Sequence, residues 1–224
     1  MRLDKFNKEL FEKNHVFLKR HIKARQSRKL LNKALTDINN LIPRRMINSV
    51  QRLISLADDI EQVRPGKKDL SIFFIVTSIE SVYTLSGSPL KNNKQGLLID
   101  FFSNYLVQEE QEYLFSRIKI LSDGERHVYI NPISAENFAL MLTGIRNQVA
   151  HEGNYWSFSF KKRENNTDII CLFNSKLKKD EGLREITYQV GITYERLKDF
   201  CIKGLIRYIE NYYEEVENST QNKL

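Results

Sequence analysis

The period of the apolar residues changes at Gly153, and that change constrains the fold more than any other feature of the chain. Before it, apolar side chains recur at helical spacing; beyond it they alternate, as on a strand. A chain patterned this way is mainly α, with a small antiparallel β segment at about residues 156–190 and a return to helix afterwards.

Within the helical part, residues 1–40 are good helix formers without Gly or Pro, and Pro43 opens a second stretch through Met46, Val50, Leu53, Ile54 and Leu56 to about Val63. Arg64-Pro65-Gly66-Lys67-Lys68 is the clearest punctuation and divides the chain into a basic helical N-terminal region (1–66) and a main domain (67–217), followed by a polar tail (218–224) expected to be disordered. Leu70–Leu85 reads as an apolar helix with Phe73, Phe74, Val76, Ile79, Val82 and Tyr83 facing inward, ended by Gly87-Ser88-Pro89. Glu80 lies in its apolar body, where an acid needs a partner. Gln95–Val107 is amphipathic, residues 109–121 continue as helix, Ser122-Asp123-Gly124 is a turn, and Ser134 is placed to cap the next helix. Trp156, Phe158 and Phe160 mark a first strand, Ile169–Phe173 a second and Ile186–Val190 a third. A final helix starts near Tyr194.

The composition, 41% hydrophobic and 28% charged over 224 residues, is that of a soluble globular protein. No apolar run has the length of a membrane span and no signal-like stretch opens the chain, so a cytoplasmic protein is expected. Cys171 and Cys201, each among apolar neighbours, suit buried thiols in a reducing compartment rather than a disulfide framework. No Cys, His, Asp and Glu grouping has metal-ligand spacing, and no cofactor is called for.

Charge is unevenly spread. Residues 1–50 hold 13 Lys and Arg against 4 Asp and Glu, leaving −2 for the remainder of the +7 total. Lys19, Arg20, Lys23, Arg25, Arg28 and Lys29 form the densest run, which is either a solvated helix face or a set of phosphate contacts. His15 and His127 read as solvated, and the aromatics at 156, 158 and 160 as core more readily than as base-stacking residues.

One segment combines a permanent cation with a titratable imidazole: Arg146-Asn147-Gln148-Val149-Ala150-His151, followed by Glu152-Gly153. Arginine can neutralise charge on a phosphate, and histidine can move a proton near neutral pH. On a helix, Phe138, Met141, Leu142, Ile145 and Val149 form one stripe, and Leu140, Gly144, Asn147 and His151 a second, nearly opposite. Gly144 implies close approach of another surface, such as the same helix of a symmetry mate. Asn147 and His151, four apart, are neighbours, so Asn147 is placed to orient the imidazole. Arg146 and His151 diverge by about 140° on an ideal helix. They converge if the helix ends or distorts before Gly153, or if two protomers bring their pairs together. The alternative is a helix-terminal network in which Glu80 or Glu152 partners Arg146 and His151 caps the helix.

This segment resembles the HEPN superfamily, whose hallmark is an arginine, four to six residues, then a histidine, often with a polar residue after the arginine. The likeness extends over about residues 68–217, with apolar helices before the motif and a long helix after it. It implies a HEPN-like helical bundle that dimerises through the motif region, here with an N-terminal helical extension. It also implies a metal-independent endoribonuclease of the toxin, defence or RNA-processing type, with RNA as partner and an antitoxin or other regulatory protein as a further one. Arg146 would then stabilise the phosphate, His151 would be the acid–base residue, and Asn147 the supporting polar residue. A non-catalytic nucleic-acid-binding or interaction module is the alternative.

Overall fold

The computed structural model describes residues 5–124 and 126–221, with the side chains of 219–221 outside the description. Helices α1 (Lys5–Leu18), α2 (Ala24–Thr36), α3 (Ile42–Val63), α4 (Lys68–Leu85), α5 (Lys94–Asn104) and α6 (Gln108–Ser116) lead into strands β1 (Ile118–Asp123) and β2 (Arg126–Ile130). Helix α7 (Ala135–Asn147) runs into a π-helical turn (Gln148–Glu152). Strands β3 (Ile169–Ser175) and β4 (Arg184–Val190) and the long α8 (Tyr194–Gln221) complete the described chain. It is mainly α, as the periodicity requires, with one four-stranded antiparallel sheet in the order β2-β1-β4-β3.

Local chemistry accounts for most boundaries. Pro43 occupies the first turn of α3, where its missing N–H costs nothing. The Ser134 hydroxyl accepts from the Asn137 N–H at 3.1 Å, while Asn137 Oδ1 accepts from the Ser134 N–H at 3.3 Å, so both side chains satisfy free donors at the start of α7. Gly66, Gly87, Gly124 and Gly153 take the positive φ that closes the turns around them.

Tertiary packing moves other boundaries away from the sequence reading. Residues 5–36 form two helices, reversed at 19–23 without a Gly or Pro to mark it. The reversal lets Phe17 and Leu18 of α1 share a core with Leu30, Leu31 and Ala34 of α2. It also buries His15, whose Nδ1 meets Ser27 Oγ at 2.9 Å, so this histidine is not solvated. Residues 118–121 are strand rather than a continuation of α6, because Ile118 and Ile120 turn inward to pair with β4. Ser122-Asp123-Gly124 is therefore the bend of a β1–β2 hairpin, and His127 lies on β2. The final helix runs on past Glu217 to Gln221; the rest of the tail, 222–224, lies outside the described residues.

The segment 156–160 is not a strand. Its donors are taken by side chains: Asp69 accepts from the Ser157 and Phe158 N–H groups at 3.1 Å, and Cys171 Sγ accepts from the Ser159 N–H at 3.3 Å. With those donors committed, no ladder forms. Phe158 and Phe160 still enter the core, while Trp156 stays outside.

One core runs through the molecule, from Phe17 and Leu31 through Met46, Ile54, Ile75, Phe101, Phe138 and Tyr188 to Leu205 and Tyr213. It is continuous across the Arg64–Lys68 punctuation, which is a turn between α3 and α4. Phe73 and Phe74 sit at its edge rather than inside, because Ile72, Ile75, Val76, Ile79, Val82 and Tyr83 fill the buried side of α4. Cys171 and Cys201 are both buried and unpaired. No helix among the described residues is long and apolar enough to cross a membrane.

Candidate functional site

Helix α7 is buried on two sides. Phe138, Met141, Leu142 and Ile145 enter the core, and Leu140 and Gly144 are equally covered. The surface facing Gly144 is β3 of the same chain: a Cβ there would lie 3.1 Å from the Asn174 carbonyl oxygen and 3.1 Å from Ser175 Oγ. The close approach read from this glycine is thus intramolecular, and no symmetry mate is needed to explain it. The exposed end of the motif begins only at Ala150.

After Asn147 the winding changes. In the π turn over Gln148–Glu152, the Gly153 N–H donates to the Gln148 carbonyl, and Gly153 itself is left-handed at φ 63°. A π turn bonds i to i+5 and winds less per residue than an α-helix, which narrows the angle between residues five apart. The helix thus distorts before Gly153, yet no hydrogen bond or ion pair joins Arg146 to His151 among the described residues. Such bulges cost hydrogen-bond quality, and this one is braced by Gln148. Its buried Oε1 accepts from Ser157 Oγ at 2.7 Å.

Arg146 points to α4. Its Nη2 donates to Glu80 Oε2 at 3.3 Å, and its Nε lies 3.3 Å from Glu80 Oε1 but off-line for a hydrogen bond. The guanidinium also lies 5.9 Å from the Phe73 ring centroid. The two side chains are only 11% and 17% exposed, so the attraction is weakly screened. Glu80 thereby has the partner that its place in an apolar helix demanded. Asn147 turns to the same group: its Oδ1 accepts from Arg146 Nη1 at 3.3 Å.

The structure therefore gathers Arg146, Asn147 and Glu80 and leaves His151 outside that group. The imidazole is exposed and makes no hydrogen bond or ion pair among the described residues, so Asn147 steadies the arginine rather than the histidine. Chemically, the site offers a held cation and, one widened turn later, an exposed imidazole without a hydrogen-bond partner among the described residues.

Asp69, in the first turn of α4, fixes the chain just beyond the motif. Burial pushes its carboxyl above the ordinary value, and the Ser157 hydroxyl and the Phe158 and Ser157 N–H groups offset this only in part. Nothing in the sequence distance between 69 and 157 announces this contact.

Lys19, Arg20, Lys23, Arg25, Arg28 and Lys29 are all exposed, and none pairs with a carboxylate among the described residues. Arg25, Arg28 and Lys29 lie on the side of α2 opposite Ser27, Leu30, Leu31 and Ala34. Beside them, His21 Nδ1 meets Asp199 Oδ1 of α8 at 2.8 Å, and Lys203 Nζ meets Asp199 Oδ2 at 2.6 Å. Gln26 reaches Glu210 on the same helix at 3.1 Å. The basic run is thus held against α8, the motif against α4 and β3, and no hydrogen bond or ion pair joins the two among the described residues. A separate groove of about 750 Å³ opens between α3 and its neighbours, lined by Lys13, Arg45, Asn48, Arg52, Asp59 and Ser81 among others. Among the described residues, no three of His, Cys, Asp and Glu come together as metal ligands.

No family model matches the chain, and comparison with curated proteins and with solved structures gives no match either.

Proposed function

We propose that this chain is a metal-independent endoribonuclease of the HEPN type, acting as a toxin, defence effector or RNA-processing enzyme in the cytoplasm. The observation that carries the reading is the π turn at 148–152, which leaves the His151 ring exposed and unbonded just after a cation held by Glu80. In this scheme the substrate 2′-hydroxyl gives its proton to an imidazole as its oxygen attacks the adjacent phosphorus. The bond from phosphorus to the 5′-oxygen breaks, and that oxygen takes a proton from a second, protonated imidazole. The products are a 2′,3′-cyclic phosphate and a 5′-hydroxyl. Arg146 carries the charge that builds on the phosphoryl oxygens, with Asn147 steadying the guanidinium.

Each motif has one histidine, so the second imidazole comes from a mate. Since β3 covers the Leu140–Gly144 side, two copies would meet through the exposed Ala150–Gly153 end. The basic run on the α1–α2 turn and α2 would add non-specific phosphate contacts, and an antitoxin or other regulatory protein would restrain the activity.

One observation favours a second reading. The charge of Arg146 is already met by Glu80 in a mostly buried pair, as in a purely structural helix-terminal network. A non-catalytic nucleic-acid-binding or interaction module follows from it.

Incubating total cellular RNA with the purified protein in EDTA separates the two. The ribonuclease reading expects cleavage with cyclic-phosphate ends that falls about 100-fold or more in His151→Ala. That variant keeps the parent's melting temperature, because the exposed ring makes no hydrogen bond or ion pair among the described residues. RNA left intact by the folded parent, or cut equally by His151→Ala, gives the site to the binding module.

A further inference from the structure

Resting on the RNA-cleaving reading, we infer that Trp156 is the residue on which an unpaired base of the RNA strand stacks beside the Arg146–His151 turn. Three aromatics alternate at 156, 158 and 160, and the fold separates them: Phe158 and Phe160 are buried, whereas Trp156 is 65% exposed. A large ring left in water lacks a core role.

Its backbone is nonetheless firmly set. The Asn154 N–H returns to the Gln148 carbonyl at 3.1 Å, folding the chain back over the π turn. The Trp156 N–H reaches Asn154 Oδ1 at 3.4 Å, and the next residue, Ser157, is tied to both buried Asp69 and buried Gln148. The ring is thus presented by the same hydrogen bonds that brace the motif. Five residues of chain span at most about 18 Å, and this reversal shortens the path from His151 further.

The surroundings suit a nucleotide rather than a bare apolar partner. The Tyr155 ring meets Trp156 edge-on at 5.2 Å, closing one side of the platform. Lys67 Nζ lies 5.9 Å from the Tyr155 ring centroid and pairs with no carboxylate among the described residues. An aromatic face with an ammonium nearby that has no carboxylate partner among the described residues matches a base and its phosphate. Stacking needs an unpaired base, so the preferred substrate is single-stranded.

Trp156 is the single tryptophan of the chain, so its emission reports on this site alone. The probe is a 2′-O-methyl oligouridylate, which lacks the attacking hydroxyl and cannot be cut. The parent should show a saturable quench. Trp156→Ala, with unchanged melting temperature, should bind about tenfold or more weakly by anisotropy of a labelled probe, within the range one stacked base gives. Trp156→Phe should recover most of the loss, and a fully paired duplex should not quench. Absence of a quench, or Trp156→Ala binding as tightly as the parent, overturns the assignment and leaves the surface to a protein partner. Cleavage of RNA by the parent is scored separately. Quenching without cleavage keeps the stacking site and removes the nuclease, whereas cleavage without quenching does the reverse.

Discussion

Glu80 of α4 reaches Arg146 of α7 across the helix interface, with Oε2 3.3 Å from Nη2 and Oε1 3.3 Å from Nε. The pair is mostly buried, so removing one charge strands the other. Arg146→Ala and Glu80→Gln should each lower stability by about 1–3 kcal/mol. The double variant should lose at least about 1 kcal/mol less than the sum of the two. Urea denaturation of the four proteins measures this coupling. Strict additivity would mean that the ion pair contributes nothing.

Gly144→Val tests where the second face of α7 packs. The new side chain would press on the Asn174 carbonyl and Ser175 of β3, since even a lone Cβ at this position would stand 3.1 Å from each. Overpacking of this kind costs about 1–3 kcal/mol. The loss should appear equally at low and high protein concentration, because the clash is within one chain. A destabilisation that grows with dilution would instead place another protomer against this face.

Asp199 ties the turn between α1 and α2 to α8. Burial alone would raise its pKa, but Lys203 and His21 outweigh that and hold the carboxyl below its ordinary value of 3.8. A depressed folded-state pKa contributes stability above the unfolded value, and that contribution is lost as pH falls through the folded one. Asp199→Asn should therefore cost about 1–2 kcal/mol at neutral pH. The gap from the parent should close as the pH drops below 3.8. Melting curves across that range check it, and a gap independent of pH would sink the assignment.

The basic run can be tested without disturbing the fold. Arg25, Arg28 and Lys29 are exposed and pair with no carboxylate among the described residues, so replacing all three by Ala should leave the melting temperature close to the parent's. If they contact phosphates, affinity for single-stranded RNA should fall, and the slope of log K against log salt should become shallower by about 2. An unchanged slope would mean that this face is merely solvated.

The mainly helical fold was legible because period is a local property. Pro43, the Pro65-Gly66 turn, Ser134 and Gly153 each act on the backbone within a few residues, and the structure keeps them at or near helix ends. Glu80 was legible in half: an acid inside an apolar stripe demands a cation, yet only packing of α4 on α7 selects Arg146 over any other. The alternation at 156–160 misled because alternating burial needs no ladder. Asp69 and Cys171 took the donors that a neighbouring strand would have used. The strand at 118–121 was hidden because one of its two partners, β4, lies far along the chain from it, the other being the adjacent β2.

By itself, then, the sequence determined the helical character, the strands near 169–173 and 186–190, and turns such as those at Pro65-Gly66 and Gly153. Tertiary structure alone decided that Gly144 meets β3, that Asn147 serves Arg146 instead of His151, and that Trp156 stays in water while Phe158 and Phe160 do not. The reason is physical: period and capping are set by neighbours along the chain. Which surface fills a groove, and which partner satisfies a buried charge, depends on residues far away in sequence that only the closed core brings near.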